Sequence, residues 1–298
     1  MIRGKKVAPK RFGRWSSGKS QATVLFCCEM SKKHDTIPSD AYVMIIGAMK
    51  CGTSSLFNYL TAHPEICPAR EKEPEFFSEN QGHGKAIAKY SDLWRFNLKV
   101  HKYALEASTG YTKFPLEPNV AKNIFEFGIR PKFIYIVRNP FVRIESHFNY
   151  MNGKKNWNAS ITDDHLINVS NYFLQISPYL NFFPVDDILI IDFDLLNSDP
   201  ASLLDQIYDF LGIEGGHYPR DFSIYNRTQT GQEGDRPSLK RRIMNLIRPI
   251  GRRHQATVPL REPRRLTVQE RELIHSRLLG DMLSLRDRFG IDVSKWGF

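Results

Sequence analysis

Short apolar runs alternate along this chain with stretches that have helical periodicity. Residues 42–46, 132–137 and 187–191 are nearly continuous apolar runs, which is typical of strands buried on both faces of a parallel sheet. Residues 103–107 form a weaker candidate for a fourth strand. This alternation predicts the α/β class, with an open parallel β-sheet flanked by helices on both faces.

The segments between these runs end at residues that interrupt helices. His63-Pro64, Gly128 and Gly212 mark three such ends. Pro178 is expected to kink or break a fourth segment. The predicted helices are residues 54–62, 118–127, a helix from about 140 through 150, 164–183, 201–211 and 267–289.

Positive charge is concentrated in two peripheral segments of this 298-residue chain, whose formal net charge is +10. Residues 1–20 contain seven Lys or Arg and no acid, and residues 238–265 contain nine against Glu262 alone. We predict a basic, flexible N-terminal segment over residues 1–40 and a single domain over 41–298, with a basic loop or lid at about 226–265. Such charge suits a nucleotide, a polyanionic glycan or an acidic lipid surface, although a solvated tail explains residues 1–20 equally well.

Composition is otherwise that of a globular protein, with 41% hydrophobic and 25% charged residues. The longest apolar run near the N-terminus, residues 22–28, is too short to span a bilayer. The cysteines have no CxxC or zinc-type spacing, and two of them are adjacent. We therefore expect reduced thiols and a cytoplasmic location, with peripheral membrane contact left open. The cysteines are Cys27, Cys28, Cys51 and Cys67.

A glycine turn between Gly47 and Gly52 joins the first strand to a helix that starts near Thr53. The backbone N–H groups of such a turn, and the N-terminus of the helix, form an anion site. The pattern resembles the P-loop GxxxxGK[ST], but Thr53 stands in the lysine position and Lys50 lies inside the loop. The sheet is therefore predicted to be P-loop-like and to bind a phosphate group. The predicted ligands are Lys50, Cys51, Gly52, Thr53 and Ser54.

A second candidate for anion binding follows the next strong strand. Arg138 directly follows this strand, and Ser146 lies in the helix after it. The carboxyl ends of strands are the ligand side of an open α/β sheet, so this pair could hold a second phosphate. A salt bridge at the end of the strand is the alternative for Arg138. We expect Arg143 on the surface of the helix and His147 in a packing or solvated role.

Three segments together resemble the sulfotransferase family, with greatest similarity to its carbohydrate branch, related to heparan sulfate sulfotransferases. They are GAMKCGTSSLFNYLTAHP, EKEPEFF and FIYIVRNPFVRIESHFNY. The resemblance covers residues 42–296 and implies 3′-phosphoadenosine 5′-phosphosulfate (PAPS) as donor and 3′-phosphoadenosine 5′-phosphate (PAP) as product. It further implies that the loop around Lys50 binds the 5′-phosphosulfate, while Arg138 and Ser146 hold the 3′-phosphate. We expect no metal, because a sulfuryl group carries less charge than a terminal phosphate.

The resemblance also assigns Glu73 as the catalytic base that contacts the acceptor hydroxyl. Phe76 and Phe77 follow it closely, and a carboxylate beside aromatic bulk is expected to have a raised pKa, which suits a base. Lys50 would stabilise the charge that develops on the oxygen bridging phosphate and sulfate. The alternative is a solvated charged turn made of Glu71, Lys72, Glu73 and Glu75.

Two positions depart from the pattern of the family. Ala107 stands where heparan-type enzymes usually carry a lysine, which leaves Ser108 as the expected acceptor contact. The segment that resembles the nucleotide-covering loop keeps Gly231 but has Thr230 instead of a basic neighbour, so Arg227 is the expected substitute. The resemblance implies that these three residues contact the nucleotide.

The sequence thus favours sulfuryl transfer from PAPS to a hydroxyl of a carbohydrate, glycolipid or small-molecule acceptor, by in-line displacement. A P-loop kinase is the alternative, because Asp192 follows an apolar strand as in a Walker B motif. Binding of nucleic acid or another polyanion is a third hypothesis, based on residues 238–265. Aromatic residues are sparse among these arginines, so we expect no nucleic-acid partner and assign the segment to an anionic acceptor.

Overall fold

The computed structural model describes residues 37–80, 89–152, 154, 157–222 and 262–298. Almost all of the predicted N-terminal segment and most of the predicted loop at 226–265 lie outside these ranges. So do Cys27 and Cys28, and the expected nucleotide contacts Arg227, Thr230 and Gly231. The division into a segment and a single domain stays a prediction.

Five parallel strands form one sheet in the order β2-β3-β1-β4-β5. All six residues of β1 are buried, as are five of the six in β4, so both faces of the central strands are covered. The predicted α/β fold with an open parallel sheet between helices is confirmed. The strands are β1 (Tyr42–Gly47), β2 (Ile66–Pro68), β3 (Tyr103–Ala107), β4 (Lys132–Val137) and β5 (Ile188–Asp192).

Of the eight helices in the described ranges, five lie close to their predicted positions. Asp199 caps α7 by accepting a hydrogen bond from the Ser202 amide, and Gly212 ends that helix in the left-handed conformation. No helix in the described ranges is long and apolar enough to cross a membrane. The helices are α1 (Thr53–Leu60), α2 (Val120–Phe127), α3 (Pro140–Asn152), α4 (Asp164–Asn168), α5 (Tyr172–Leu180), α6 (Phe193–Ser198), α7 (Pro200–Leu211) and α8 (Val268–Phe289).

The prediction of one helix over residues 164–183, interrupted at Pro178, is wrong. The break lies between α4 and α5, and Pro178 is inside α5. The reason is a contact from the distant helix α8. Asp281 accepts hydrogen bonds from the amides of Phe173 (3.0 Å) and Leu174 (2.7 Å), which are in the first turn of α5. This carboxylate stabilises a helix start that no local pattern indicates.

The register of the sheet brings the ends of its strands together. Ile45 in β1 lies opposite both Ala107 in β3 and Ile134 in β4. The segments after β1, β3 and β4 therefore leave the sheet at the same carboxyl edge. Since β1 lies between strands that are reached in opposite directions, this edge is the topological switch point where open α/β sheets bind ligands.

Candidate active site

A cleft of about 920 Å³ lies at this carboxyl edge. It is lined by residues from the segments that follow β1, β2, β3, β4 and β5, together with residues from α3 and from the segment before α8. The structure therefore brings together side chains from distant parts of the sequence. The predicted site residues that line the cleft are Lys50, Gly52, Thr53, Ser54, Glu73, Arg138 and Ser146.

The glycine loop presents the N-terminus of α1 to the cleft. Gly52, the N-cap residue, has a φ of +83°, and a Cβ on it would lie 2.7 Å from Leu196 and 2.8 Å from Phe193. Glycine is needed here both for the backbone conformation and for this close approach. The first turn of α1 contains no acidic residue, so the positive end of the helix dipole faces the cleft unopposed within that turn. This arrangement suits an anion.

Lys50 lies beside the aromatic ring of Tyr150. The Lys50 Nζ is 4.4 Å from the centre of the ring, and the Lys154 Nζ is 4.2 Å from it. Burial, together with the positive charges of Arg138 and Lys154, lowers the pKa of Lys50. Sequence analysis missed Tyr150, although it lies one helical turn after Ser146 on α3 and the spacing was visible in the sequence.

Cys51 belongs to the glycine loop, but its side chain is buried inside the protein. Its amide donates to the Ala48 carbonyl (3.1 Å) inside the turn. Burial raises the pKa of the thiol to about 11, so it stays protonated at neutral pH. The structure places Cys51 among the residues that shape the loop and does not place it on the cleft surface.

Arg138 is held over the cleft by two contacts. Its Nη1 donates to the Lys50 carbonyl at 3.3 Å, and its guanidinium carbon is 4.4 Å from the centre of the Phe193 ring. In the part of the chain that the structure describes, Arg138 forms no ion pair with a carboxylate. The alternative salt bridge at the end of the strand is therefore not found among these residues, and the charge faces the cleft.

The prediction that Arg143 lies on the surface of its helix is wrong. The residue is fully buried behind the glycine loop. Its Nη1 donates to the Met49 carbonyl at 3.4 Å, and its Nε donates to the Ser170 hydroxyl at 2.5 Å. The same Nη1 is 3.2 Å from the Nδ1 of His147, whose pKa is lowered by burial and by this guanidinium. His147 is thus a buried packing residue. Arg143 places a second positive charge behind the loop that carries Lys50.

Glu73 lines the cleft from the segment that follows β2. Its amide donates to the Ala107 carbonyl at 2.8 Å, and its side chain forms an ion pair with Lys72 at 2.7 Å. The side chain is 45% exposed, so it stays hydrated. The rings of Phe76 and Phe77 pack against Tyr90. The aromatic desolvation expected for Glu73 is therefore not seen in this structure.

Ser108 does not face the cleft. It is fully buried, its Oγ donates to Glu106 at 2.7 Å, and it accepts a hydrogen bond from the Glu75 amide at 3.1 Å. The next residue, Thr109, lines the cleft instead. The side chain of Ser108 points into the interior at the end of β3, which the sequence could not reveal without the position of Glu75.

Helix α3 forms one wall of the cleft, and residues from the segment before α8 extend this wall. Glu145, 3% exposed, accepts from Arg265 Nη1 at 2.7 Å, from Arg271 Nη2 at 3.1 Å and from the Leu266 amide at 3.1 Å. Arg265 and its neighbour Pro263 line the cleft. The last residues of the predicted basic segment 226–265 are thus at the site, while those before residue 262 lie outside the described part of the chain. A contact across 120 residues leaves no local signal.

Asp192 has a structural role in this protein. Its carboxylate accepts from the Asp194 amide at 2.8 Å, which caps α6, and it also pairs with Lys295. Among residues 37–298, leaving aside those outside the described ranges, no group of three or more His, Cys, Asp or Glu side chains is arranged to hold a metal ion.

The comparison with protein families identifies the class. A model of the sulfotransferase domain family matches residues 40–223, which is more than half of the chain. The chain therefore belongs to the sulfotransferase domain family, and the resemblance inferred from its motifs is confirmed.

Among curated proteins, two heparan sulfate enzymes illustrate the similarity. The chain is 25% identical over 215 residues to heparan sulfate glucosamine 3-O-sulfotransferase 5 of Homo sapiens, covering 66% of this chain and 59% of that protein. It is 29% identical over 185 residues to heparan sulfate glucosamine 3-O-sulfotransferase 3B1 of Mus musculus, covering 57% and 46%. The chain spans about half the length of the curated relatives it matches.

A solved sulfotransferase supports the assignment of the fold. The chain is similar to the crystal structure of a sulfotransferase from Alicyclobacillus acidocaldarius, with a TM-score of 0.63 and 21% sequence identity. The match covers 87% of this chain and 99% of the other. The fold is thus that of a sulfotransferase over most of the chain.

Proposed function

We propose that this protein transfers a sulfuryl group from PAPS to a hydroxyl of a carbohydrate acceptor. One observation carries the proposal: Lys50, Glu73, Arg138 and Ser146 reach a single cleft from separate segments of the chain. Membership of the sulfotransferase family supports this activity over the kinase alternative. The Walker B resemblance of Asp192 does not favour a kinase, because that carboxylate caps a helix and pairs with Lys295.

The cleft has features that suit both ends of the donor. The N-terminus of α1 and Lys50 would hold the 5′-phosphosulfate, and Arg138 with Ser146 would hold the 3′-phosphate. The volume of about 920 Å³ is in the range of sites for a molecule of nucleotide size. When bound, PAPS supplies an activated sulfuryl group, so the residues need only position it, stabilise charge and accept a proton.

Two residues would act on the reacting atoms. Lys50 would stabilise the charge that develops on the leaving oxygen, an interaction that strengthens in the transition state. Glu73 would accept the proton of the acceptor hydroxyl. The Glu73 side chain is 45% exposed on the cleft, and an acceptor bound there would cover this carboxylate.

The proposed acceptor is a glycan that carries negative charge. The curated relatives are heparan sulfate glucosamine sulfotransferases by name, which supports a glycan. The exposed guanidinium of Arg265 at the wall of the cleft favours an acceptor that carries negative charge. The glycolipid acceptor, the peripheral membrane contact and the cytoplasmic location stay predictions.

Transfer of label tests the function directly. The purified protein would be incubated with ³⁵S-labelled PAPS, EDTA and a panel of sulfated and unsulfated glycans, glycolipids and small alcohols. We expect label on a glycan, and binding of PAP but not of MgATP. Phosphate transfer from γ-labelled MgATP in a parallel incubation without EDTA, together with no transfer from PAPS, would overturn the proposal.

Replacing Arg138 with alanine should weaken donor binding more than it slows turnover. The loss of a charge-assisted contact to phosphate is expected to raise the donor KM by about 10- to 100-fold, with a smaller change in kcat. Steady-state kinetics with PAPS varied measures this split. Arg286→Ala, which removes an exposed guanidinium paired with Asp287, is the matched control. An unchanged donor KM in Arg138→Ala would exclude its assigned role.

A further inference from the structure

The turn that carries Glu73 has an unusual backbone. Glu73 has a φ of +60° and Glu75 a φ of +51°, on either side of Pro74. Left-handed conformations are disfavoured for residues with a side chain, so two of them in three residues need support from surrounding contacts. The structure shows which contacts supply it.

The turn is fastened to the end of β3 by hydrogen bonds. The Glu73 amide donates to the Ala107 carbonyl at 2.8 Å, and the Glu75 amide donates to the Ser108 hydroxyl at 3.1 Å. The Glu75 carboxylate accepts from the Gly110 amide at 2.8 Å and from the Ser78 hydroxyl at 2.8 Å. Glu75 therefore joins the turn to β3 through both its backbone and its side chain.

The segment after β3 is shaped around this carboxylate. A Cβ on Gly110 would lie 2.0 Å from Glu75 Oε2 and 2.6 Å from its carboxyl carbon. Any residue other than glycine would push the carboxylate out of its place. The fit shows that the contact depends on Glu75 and Gly110 together.

Glu75 cannot act on a substrate itself. The residue is 3% exposed, and the cleft is lined by Glu73 and Thr109 from the same two segments but not by Glu75. Burial raises the pKa of Glu75, and the hydrogen bonds from Gly110 and Ser78 oppose this shift only in part. Any effect of Glu75 on the reaction must therefore pass through the residues it holds.

We propose that Glu75 is a positioning residue, which fixes the turn so that the Glu73 carboxylate faces the acceptor hydroxyl. This rests on the proposed function. The rate of proton transfer depends steeply on geometry, so a small displacement of Glu73 is enough to slow turnover. Ser108, which holds the Glu75 amide and is itself bonded to the buried Glu106, belongs to the same support.

A double-mutant cycle tests the proposal. Glu75→Ala is expected to lower kcat by about 10- to 100-fold and to change the Kd for PAP by less than about twofold. In a Glu73→Gln background the same change should cost less than about twofold, because the group that Glu75 positions has already been disabled. If Glu75 merely stabilised the fold, Glu75→Ala would lower kcat by the same factor in both backgrounds.

Milder variants keep the test usable if Glu75→Ala does not fold. Glu75→Gln can still accept from Gly110 and donate to Ser78, and is expected to keep kcat within about fivefold of the wild type. Ser78→Ala removes one hydrogen bond to the Glu75 carboxylate. It should lower kcat by about three- to tenfold, again only when Glu73 is present. Glu71→Ala, at an exposed position in the same segment, is the control without effect.

The outcomes separate two failures. No transfer by the wild-type protein from PAPS to any glycan would overturn the proposed function and this inference with it. Transfer by the wild type, combined with equal effects of the Ser78 and Glu75 variants in both backgrounds, would overturn the positioning role alone. Wild-type kcat in Glu75→Ala would overturn it as well.

Discussion

Replacing Lys50 with alanine is expected to lower kcat by about two or more orders of magnitude. The ammonium lies at the mouth of the anion site, where charge builds on the leaving oxygen mainly in the transition state. The N-terminus of α1, Arg138 and Ser146 would still hold the two phosphates of PAP, so its Kd should change by less than about fivefold. Single-turnover kinetics with PAPS, together with calorimetric titration of PAP, measure the two effects separately.

Lys154 provides a matched control for this variant. Its ammonium is 4.2 Å from the centre of the same Tyr150 ring that Lys50 contacts, but Lys154 does not line the cleft. Lys154→Ala should leave kcat within about threefold of the wild type, as is usual for an exposed charge. Wild-type turnover in Lys50→Ala, or an equal loss in both variants, would refute the role of Lys50.

Replacing Glu73 with glutamine should also lower kcat by about two or more orders of magnitude, because the amide cannot accept the proton of the acceptor hydroxyl. The side chain keeps its size and its place on the cleft, so the Kd for PAP should change by less than about twofold. Measurement of kcat with saturating donor and acceptor tests this expectation.

Glu71→Gln is the control for Glu73→Gln, since it neutralises an exposed carboxylate in the same segment. We expect its kcat to equal that of the wild type. Turnover by Glu73→Gln at the wild-type rate would remove Glu73 as the base. In that case Glu73 would contribute only to the ion pair with Lys72.

The core of the fold could be predicted because its strands are buried on both faces. Such strands appear as continuous apolar runs, and β1, β4 and β5 were recognised on that basis, while β3 was a weaker candidate. The three-residue strand β2 is too short to produce a pattern, and α6 begins directly after β5 without an intervening loop. The break before α5 depends on Asp281, 108 residues after Phe173, so no local pattern in the sequence could predict it.

The positions of the site residues were more predictable than their surroundings. Residues that directly follow parallel strands share one edge, so Lys50 and Arg138 could be placed from sequence alone. Burial depends on tertiary packing, which decided against a surface position for Arg143 and against a cleft position for Ser108. The exposure of Glu73 likewise follows from where Phe76 packs.

The structure of a complex with PAP tests the central claim most directly. We predict that its 5′-phosphate contacts the start of α1 near Thr53, with the Lys50 ammonium beside it, and that its 3′-phosphate contacts Arg138 and Ser146. A nucleotide bound outside this cleft, or bound in it with Arg138 turned away from both phosphates, would contradict the account.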